Sequence, residues 1–417
     1  MREMKHTTIP FCEWIPDKWK IIPNRYLFVN HSTRVGEKSS DYQLLSLTTN
    51  GVKKKDINAS GGKVPTSYDN YQTVYEGDMI FCLFDLDCSA VFSGLSSFQG
   101  MITSAYDVYM PDEKYVDKHF VEYWFQYVFS YRYYKMYSKS IRYTITSDMF
   151  KTIVTPVPPI QEQKIIGHFL DKKCSKIDAL IANAEQQIAK LKAYKQSVIT
   201  ETVTKGLNPD VPMKDSGIEW IGEIPEYWGI IRVKQLLCER KERSINGEEE
   251  PLSMSQKLGL VPTKMLDIIP NMASSFVGAK LTYINDLVFN KLKAHLGVFS
   301  VSKYNGLVSP DYAVYYTTGL ANLKYLEYLF KTPQCISEFR KRSTGIAAGL
   351  TRLYTDGLFA IETPYPPLKE QQQIADFLDT KCAKIDHLIT VKQQKIEKLQ
   401  QYKKSIIYEY VTGKKEV

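Results

Sequence analysis

"TPVPPIQEQKIIGHFLDKKCSKIDALI" runs from Thr155 to Ile181, and "TPYPPLKEQQQIADFLDTKCAKIDHLI" runs from Thr363 to Ile389. The chain has 417 residues and writes this sequence twice, 208 positions apart. Between Pro156–Thr204 and Pro364–Thr412, 27 of 49 positions are identical without a gap. A repeat of this length is read first, because it states how many times the architecture is built. The double proline presets the entry dihedral and wastes no donor in a first turn, so each copy opens a helix.

Within each copy, apolar residues recur at spacings of four and three. The first copy gives Leu170, Cys174, Ile177, Ile181, Ala184, Ile188, Leu191 and Val198. The second gives Leu378, Cys382, Ile385, Ile389, Ile396, Leu399 and Ile406. This is a heptad seam. Lys195, Lys392 and Lys403 interrupt it. Each helix could cover its own domain. Alternatively the two pair antiparallel, Leu170, Ile177, Ile181, Ile188 and Leu191 against Leu378, Ile385, Ile389, Ile396 and Leu399. The sustained heptad spacing favours pairing. From Ala179 to Lys205 no glycine or proline interrupts, so about 27 residues would span roughly 40 Å.

Weaker echoes precede each helix in the same order. "IPDKW" at Ile15–Trp19 returns as "IPEYW" at Ile224–Trp228, "EGDMIF" at Glu76–Phe81 as "INDLVF" at Ile284–Phe289, and "QGMITSAYDVY" at Gln99–Tyr109 as "NGLVSPDYAVY" at Asn305–Tyr315. The chain therefore reads as head 1–155, helix 156–206, linker and second head 207–362, and helix 363–417. Each head mixes short strands with helical stretches such as Val116–Tyr137, which makes the fold class α+β. Two heads related by pseudo-twofold symmetry and separated by two long antiparallel coiled-coil helices are the expected architecture.

Composition narrows the function classes. No apolar run reaches membrane-spanning length, and the N-terminus lacks a signal-peptide core. Seven cysteines without a C-x-x-C pair argue against a disulfide framework or a zinc site. A cytoplasmic protein without a membrane partner is expected. The net charge of +8 is modest, so nucleic-acid contact would have to come from local clustering. Such clusters occur. Between Glu122 and Asp148 no acidic residue interrupts Arg132, Lys135, Lys139 and Arg142, which are interleaved with tyrosines. Between Glu338 and Asp356 stand Arg340, Lys341, Arg342 and Arg352, beside the small-residue stretch "STGIAAGLTR". In "NKLKAHLGVFS", alternation would put Lys291, Lys293 and His295 on one face of a strand. "VKKKD" at Val52–Asp56 reads as a charged loop. Arginine and lysine meet phosphates and guanine edges. The plainer reading of each cluster is a solvated face above core tyrosines. Two patches in corresponding places favour DNA.

Catalytic motifs are missing. There is no G-x-x-x-x-G-K-[ST], no G-x-G-x-x-G, and no Asn or Asp before the Pro-Pro pairs of the kind amino-methyltransferase sites require. "PDEK" at Pro111–Lys114 is too compressed for a nuclease motif, Pro209-Asp210 with "ERK" at Glu239–Lys241 straddles the linker, and the histidines form no ligand cluster. No catalytic or metal residue is assigned.

The two copies "PVPPIQEQKIIGHFLDKKCSKID" and "PYPPLKEQQQIADFLDTKCAKID", with "GIEWIGEIPEYW" before the second head, resemble the specificity subunit of type I restriction-modification systems over essentially the full length. "NKLKAHLG" and "GLVSPDYAVY" resemble strand segments of its target-recognition domains, whereas Cys82–Ser93 has no clean match to "KLKAHLG". The resemblance implies a subunit in which each head reads half of a bipartite, asymmetric site in double-stranded DNA and the helices set the spacer. It implies no catalysis and no cofactor in this chain. Two adenine methyltransferase subunits using S-adenosylmethionine are the implied partners, with restriction subunits using ATP and magnesium where present. A protein tether without DNA affinity, and a metal-dependent nuclease built on the weak acid-x-Lys patterns, are the alternatives.

Overall fold

The computed structural model describes residues 2–49, 51–56, 67–138, 142–256, 258–268, 275–347 and 350–417. It divides into two compact units, residues Met1–Glu185 with Gln393–Val417, and residues Gln186–Lys392. Both long helices, Ile160–Lys205 and Leu368–Val411, contribute residues to each unit. Among the described residues no helix is long and apolar enough to cross a membrane.

The first unit is built on a four-stranded antiparallel sheet in the order Phe28–Val29, Asp107–Pro111, Met79–Phe81, Ser93–Leu95. The second repeats it with Leu237–Glu239, Tyr312–Thr317, Leu287–Asn290 and Phe299–Val301. The central strand is buried on both faces, and its alternation divides two cores. Met79 and Phe81 join Trp19, Phe120, Trp124 and Phe150, while Ile80 packs with Leu45, Leu47, Val74 and Ile102. In the second unit Leu287 and Phe289 join Trp228, Phe299, Phe330 and Phe339, while Val288 packs with Leu252, Leu260, Val308 and Val314. The α+β class and the doubled plan follow directly.

The long helices begin after the double prolines. Val154–Val157 pairs with Lys20–Pro23, and Glu362–Tyr365 pairs with Gly229–Arg232. The first prolines of the motif are thus strand residues, and the first helix opens at Ile160 rather than at Pro156. Within each unit the two helix segments run antiparallel. In the first unit the rings of Phe169 and Tyr410 are 4.5 Å apart, and Lys403 bonds Asp178 at 2.8 Å. In the second, Lys195 bonds Asp386 at 2.6 Å, and the Lys381 ammonium sits 5.7 Å from the Tyr194 ring. The lysines that interrupt the seam are its cross-links.

The seam also serves the heads. Leu170, Cys174 and Ile177 belong to the first unit's core beside Ile406 and Ile407, with Ile181 and Leu399 packed at its edge. Leu378 and Cys382 belong to the second unit's core beside Ile199 and Val203. Burial pushes the Cys174 thiol up to about 11 and raises that of Cys382, as core packing requires. Ile188, Ile385 and Ile389 are buried, whereas Leu191 and Ile396 are half-buried.

Three local expectations are corrected. Val116–Tyr137 is not one helix. The helix spans Lys118–Ser130, capped by Asp117, and breaks where Arg132 takes the left-handed conformation before the 3-10 turn Tyr133–Met136. The corresponding stretch of the second unit splits into Leu323–Phe330 and Pro333–Arg342, because Pro333 cannot continue a helix and Thr332 caps a new one. The "VKKKD" stretch is not a loop, since Gly51–Lys54 is a strand paired with Leu45–Thr48.

Candidate nucleic-acid interface

The strand expected to carry Lys291, Lys293 and His295 on one face ends at Asn290. Asn290 closes the turn that follows, its Oδ1 accepting from Leu292 N at 3.2 Å and its carbonyl from Lys293 N at 3.0 Å. Ala294–Leu296 is a 3-10 turn, and Gly297 leaves it at φ 75°. Asparagine side-chain bonding outcompetes the β ladder here, so period-two alternation fails. The three basic residues lie on a loop.

That loop and the second basic patch meet. Leu353 N donates to Lys291 O at 3.0 Å, fastening the hairpin of Thr344–Ala347 and Leu350–Arg352 beside it. Arg352 Nη2 reaches Asp311 Oδ1 at 3.0 Å, while its Nε is buried without a partner among the described residues. Lys280 donates to Tyr312 O at 2.6 Å, and burial first, then Lys291, pushes its ammonium down from the ordinary lysine range. Lys341 and Arg342 share Glu338, at 2.8 and 3.7 Å, in a last helical turn that already favours cations. The side chains of Lys291, Lys293 and Arg340 have no hydrogen-bond or ion-pair partner among the described residues. The second unit therefore presents an under-neutralised cationic surface.

The first unit holds the same frame with the opposite charge on the loop. Ile145 N donates to Leu83 O at 2.7 Å, both partners 208 positions before Leu353 and Lys291. Asp85 and Asp87 occupy the places of Lys293 and His295. Lys135 Nζ is 3.0 Å from Asp87, Arg132 is 3.7 Å from Asp87, and Arg142 is 3.7 Å from Asp85. Lys135 also sits 4.4 Å from the Tyr143 ring. Lys139 lies outside the described residues. Asp85, Arg132 and Tyr143 all take positive φ, of 48°, 57° and 51°, which is costly for residues with a Cβ. Strain is thus concentrated where the loop meets its cations. Sequence reading found those cations but missed Asp85 and Asp87, which alignment at the 208-residue offset would have exposed. It also missed Lys280 and Asp311.

The repeated "EQ" has a structural role. Trp19 Nε1 donates to Glu162 Oε1 at 3.1 Å, and Trp228 Nε1 donates to Glu370 Oε2 at 3.0 Å. The buried Gln163 accepts from Asp117 N at 2.8 Å and donates to Tyr115 O at 2.9 Å and Pro158 O at 2.8 Å. Gln371 accepts from Asn322 N and donates to Pro366 O, each at 2.9 Å. One carboxylate and one carboxamide per copy lock a head to the start of its helix.

Residues 282–401 match the family described as the type I restriction modification DNA specificity domain. The chain is 24% identical over 288 residues to the type I restriction enzyme MjaVIII specificity subunit of Methanocaldococcus jannaschii, which covers 65% of this chain and 64% of that one. It thus spans somewhat under two thirds of that relative's length. A solved structure, described as giving the structural basis underlying complex assembly and conformational transition of the type I R-M system, superposes with a TM-score of 0.68 at 12% identity, covering 95% of this chain and 98% of that one. That likeness concerns the fold. With the doubled motif and the doubled head in place, these matches make the chain similar to type I restriction-modification specificity subunits, with residues 282–401 carrying the match to the DNA specificity domain.

Proposed function

We propose that this chain is the sequence-reading, non-catalytic subunit of a cytoplasmic type I restriction-modification complex. Each head reads one half of a bipartite, asymmetric site in double-stranded DNA, and the paired helices set the number of unread base pairs between the halves. The chain recruits methyltransferase subunits that modify adenine with S-adenosylmethionine, and restriction subunits that use ATP and magnesium. The observation that carries the reading is the second head's surface, where, among the described residues, Lys291, Lys293 and Arg340 stand without counter-charges on the same unit as Arg352, whose Nη2 pairs with Asp311 and whose Nε has no partner. Cations left without acceptors in a folded protein match a polyanion whose counterions they displace.

Methylome sequencing tests it. A methylation-free host expressing this chain with its neighbouring methyltransferase gene should acquire a bipartite adenine motif that is absent with the methyltransferase alone. Replacing the first head should then change one half-site only. Absence of any motif from a soluble, assembled complex would leave the tether reading in its place.

A further inference from the structure

Arg352 differs from Lys291 and Lys293 in being held in place. It ends the strand Leu350–Arg352, and the N–H of the next residue, Leu353, donates to Lys291 O at 3.0 Å. Its side chain is 23% exposed, against 58% for Asp311, whose Oδ1 accepts from Arg352 Nη2 at 3.0 Å. Arg352 Cζ stands 5.9 Å from the centre of the Tyr354 ring. Asp311 is fixed in turn. Its N–H donates to Ser309 Oγ at 3.3 Å, and the carbonyl of the next residue, Tyr312, accepts from Lys280 Nζ at 2.6 Å. Arg352 Nε is buried and has no partner among the described residues. A buried donor left unpaired calls for an explanation. Here the fold gives up one hydrogen bond and keeps the guanidinium on Asp311.

The geometry of what remains is specific. Asp311 takes one hydrogen of Nη2. The other hydrogen of Nη2 and its neighbour on Nη1 lie parallel, because the guanidinium is planar. Two parallel donors fit two acceptors side by side. Guanine offers such a pair, O6 and N7, at its major-groove edge, and a phosphate offers two oxygens. The carboxylate decides between them. Asp311 offsets the charge of Arg352 and would meet the oxygens of a phosphate with its own. A base edge carries no net charge, so beside it the carboxylate serves only to fix direction. The unpaired Lys291 and Lys293 are the phosphate ligands of the same surface.

We infer that Arg352, positioned by Asp311, reads one guanine of the half-site bound by the second head, through O6 and N7. The inference rests on the DNA-reading function proposed above and adds the base required at one position. The pair is not repeated in the first head. Thr144 stands in the place of Arg352 and Ala105 in the place of Asp311, and Thr144 Oγ1 accepts from Asp85 N at 3.4 Å. This guanine requirement therefore belongs to the second half-site.

The test uses the full chain assembled with its methyltransferase. Methylome sequencing defines the site, and replacing the first head identifies the half read by the second. Each guanine of that half, on either strand, is then changed to 7-deazaguanine, which lacks the N7 acceptor, and binding is followed by anisotropy. One change should weaken wild-type binding about ten-fold, the loss of one base contact, and should add nothing in Arg352→Ala. Arg352→Lys, which keeps the charge, should lose the guanine requirement in the methylome as Arg352→Ala does. Asp311→Asn should relax it in part while the rest of the motif stands. An unaltered motif with Arg352→Lys, or a loss in Arg352→Ala that is equal on all sequences, assigns Arg352 to a phosphate and overturns the inference. A second half-site without an invariant guanine overturns it too. So does wild-type binding indifferent to every 7-deazaguanine, or a sensitivity that survives Arg352→Ala. If Arg352→Ala does not assemble, the lysine variant and the wild-type analogue series decide. Absence of sequence-specific binding by the wild-type complex overturns the DNA-reading function itself.

Discussion

Lys195 lies 2.6 Å from Asp386, and Lys403 lies 2.8 Å from Asp178, so one ion pair is made twice with both partners displaced by 208 residues. A single helix packed on its own head has no reason to place a lysine in an apolar seam. Two antiparallel copies do, because position 195 of one faces position 386 of the other. Charge exchange follows as a test. Lys195→Asp should destabilise the second unit, and adding Asp386→Lys should recover most of the loss. The pair is partly exposed, so its coupling should be about 0.2–1 kcal/mol. A double-mutant cycle by urea denaturation measures it, and zero coupling would remove the pair from the account.

Gln163 and Gln371 should matter more to stability than any exposed pair. Each spends its whole carboxamide on buried backbone. Gln163→Ala should cost about 2–4 kcal/mol, because Asp117 N and two carbonyls lose partners they cannot replace with water. Amide exchange should quicken first around Tyr115–Val121, at the start of the head's helix. A loss spread evenly over the chain would mean that the carboxamide is not a local lock.

The long helices, the doubled heads and the α+β class were legible because repetition and heptad spacing are global patterns that local chemistry cannot disguise. The basic clusters were legible only as composition. Lys291, Lys293 and His295 alternate as a strand does, yet Asn290 turns the chain before the pattern can act. Arg132, Lys135 and Arg142 form an acid-free window in sequence, yet Asp85 and Asp87 close over them from a distant loop. Charge in one window says nothing of the charge folded against it. The "EQ" pair was visible in both copies, but its meaning depended on a tryptophan some 140 residues upstream.

The first head should be sensitive to alkaline pH at one contact. His119 Nδ1 is 3.0 Å from Asp171, and that hydrogen bond raises the imidazole above its ordinary value of 6.5 against the opposing effect of burial. Asp117, Glu122 and the Asp171 charge add to the rise, and His168 lies 6.1 Å away. A raised folded value means that the contribution is complete below pH 6.5 and is lost as pH climbs through the higher folded value. Both partners are about a third exposed, so the loss should stay under about 1 kcal/mol. The second head places Lys324 in the equivalent position, 3.8 Å from Asp379, and should show no such slope. His119→Gln should flatten the first head's profile, and NMR titration of His119 reads the value directly. A midpoint at or below 6.5 would contradict the contact.

Salt dependence should separate the second head's free cations from its paired ones. Lys291→Ala, Lys293→Ala and Arg340→Ala should each weaken DNA binding across all sequences and lower the slope of log affinity against log salt by about one. Lys341→Ala should change the slope little, because Lys341 already faces Glu338. Binding isotherms of the assembled complex at several salt concentrations decide this. Equal slopes for all four variants would move the interface elsewhere.

The first head should answer in the opposite sense. Asp87 neutralises both Lys135 and Arg132, and Asp85 faces Arg142. Removing a carboxylate from a protein surface ordinarily changes nucleic-acid affinity only weakly. Here Asp87→Asn frees two cations, Arg132 and Lys135, that face the loop corresponding to the second head's cationic one. It should raise non-specific affinity about three- to ten-fold at low salt and steepen the salt slope. It should also blur the first half-site, because a carboxylate accepts only from base edges that present an amine, whereas freed cations hold any phosphate. Methylome sequencing of the Asp87→Asn complex reads both effects at once, as spread of modification at one half-site with the other unchanged. An unaltered motif and slope would mean that the strained loop of Asp85 and Asp87 faces away from the duplex.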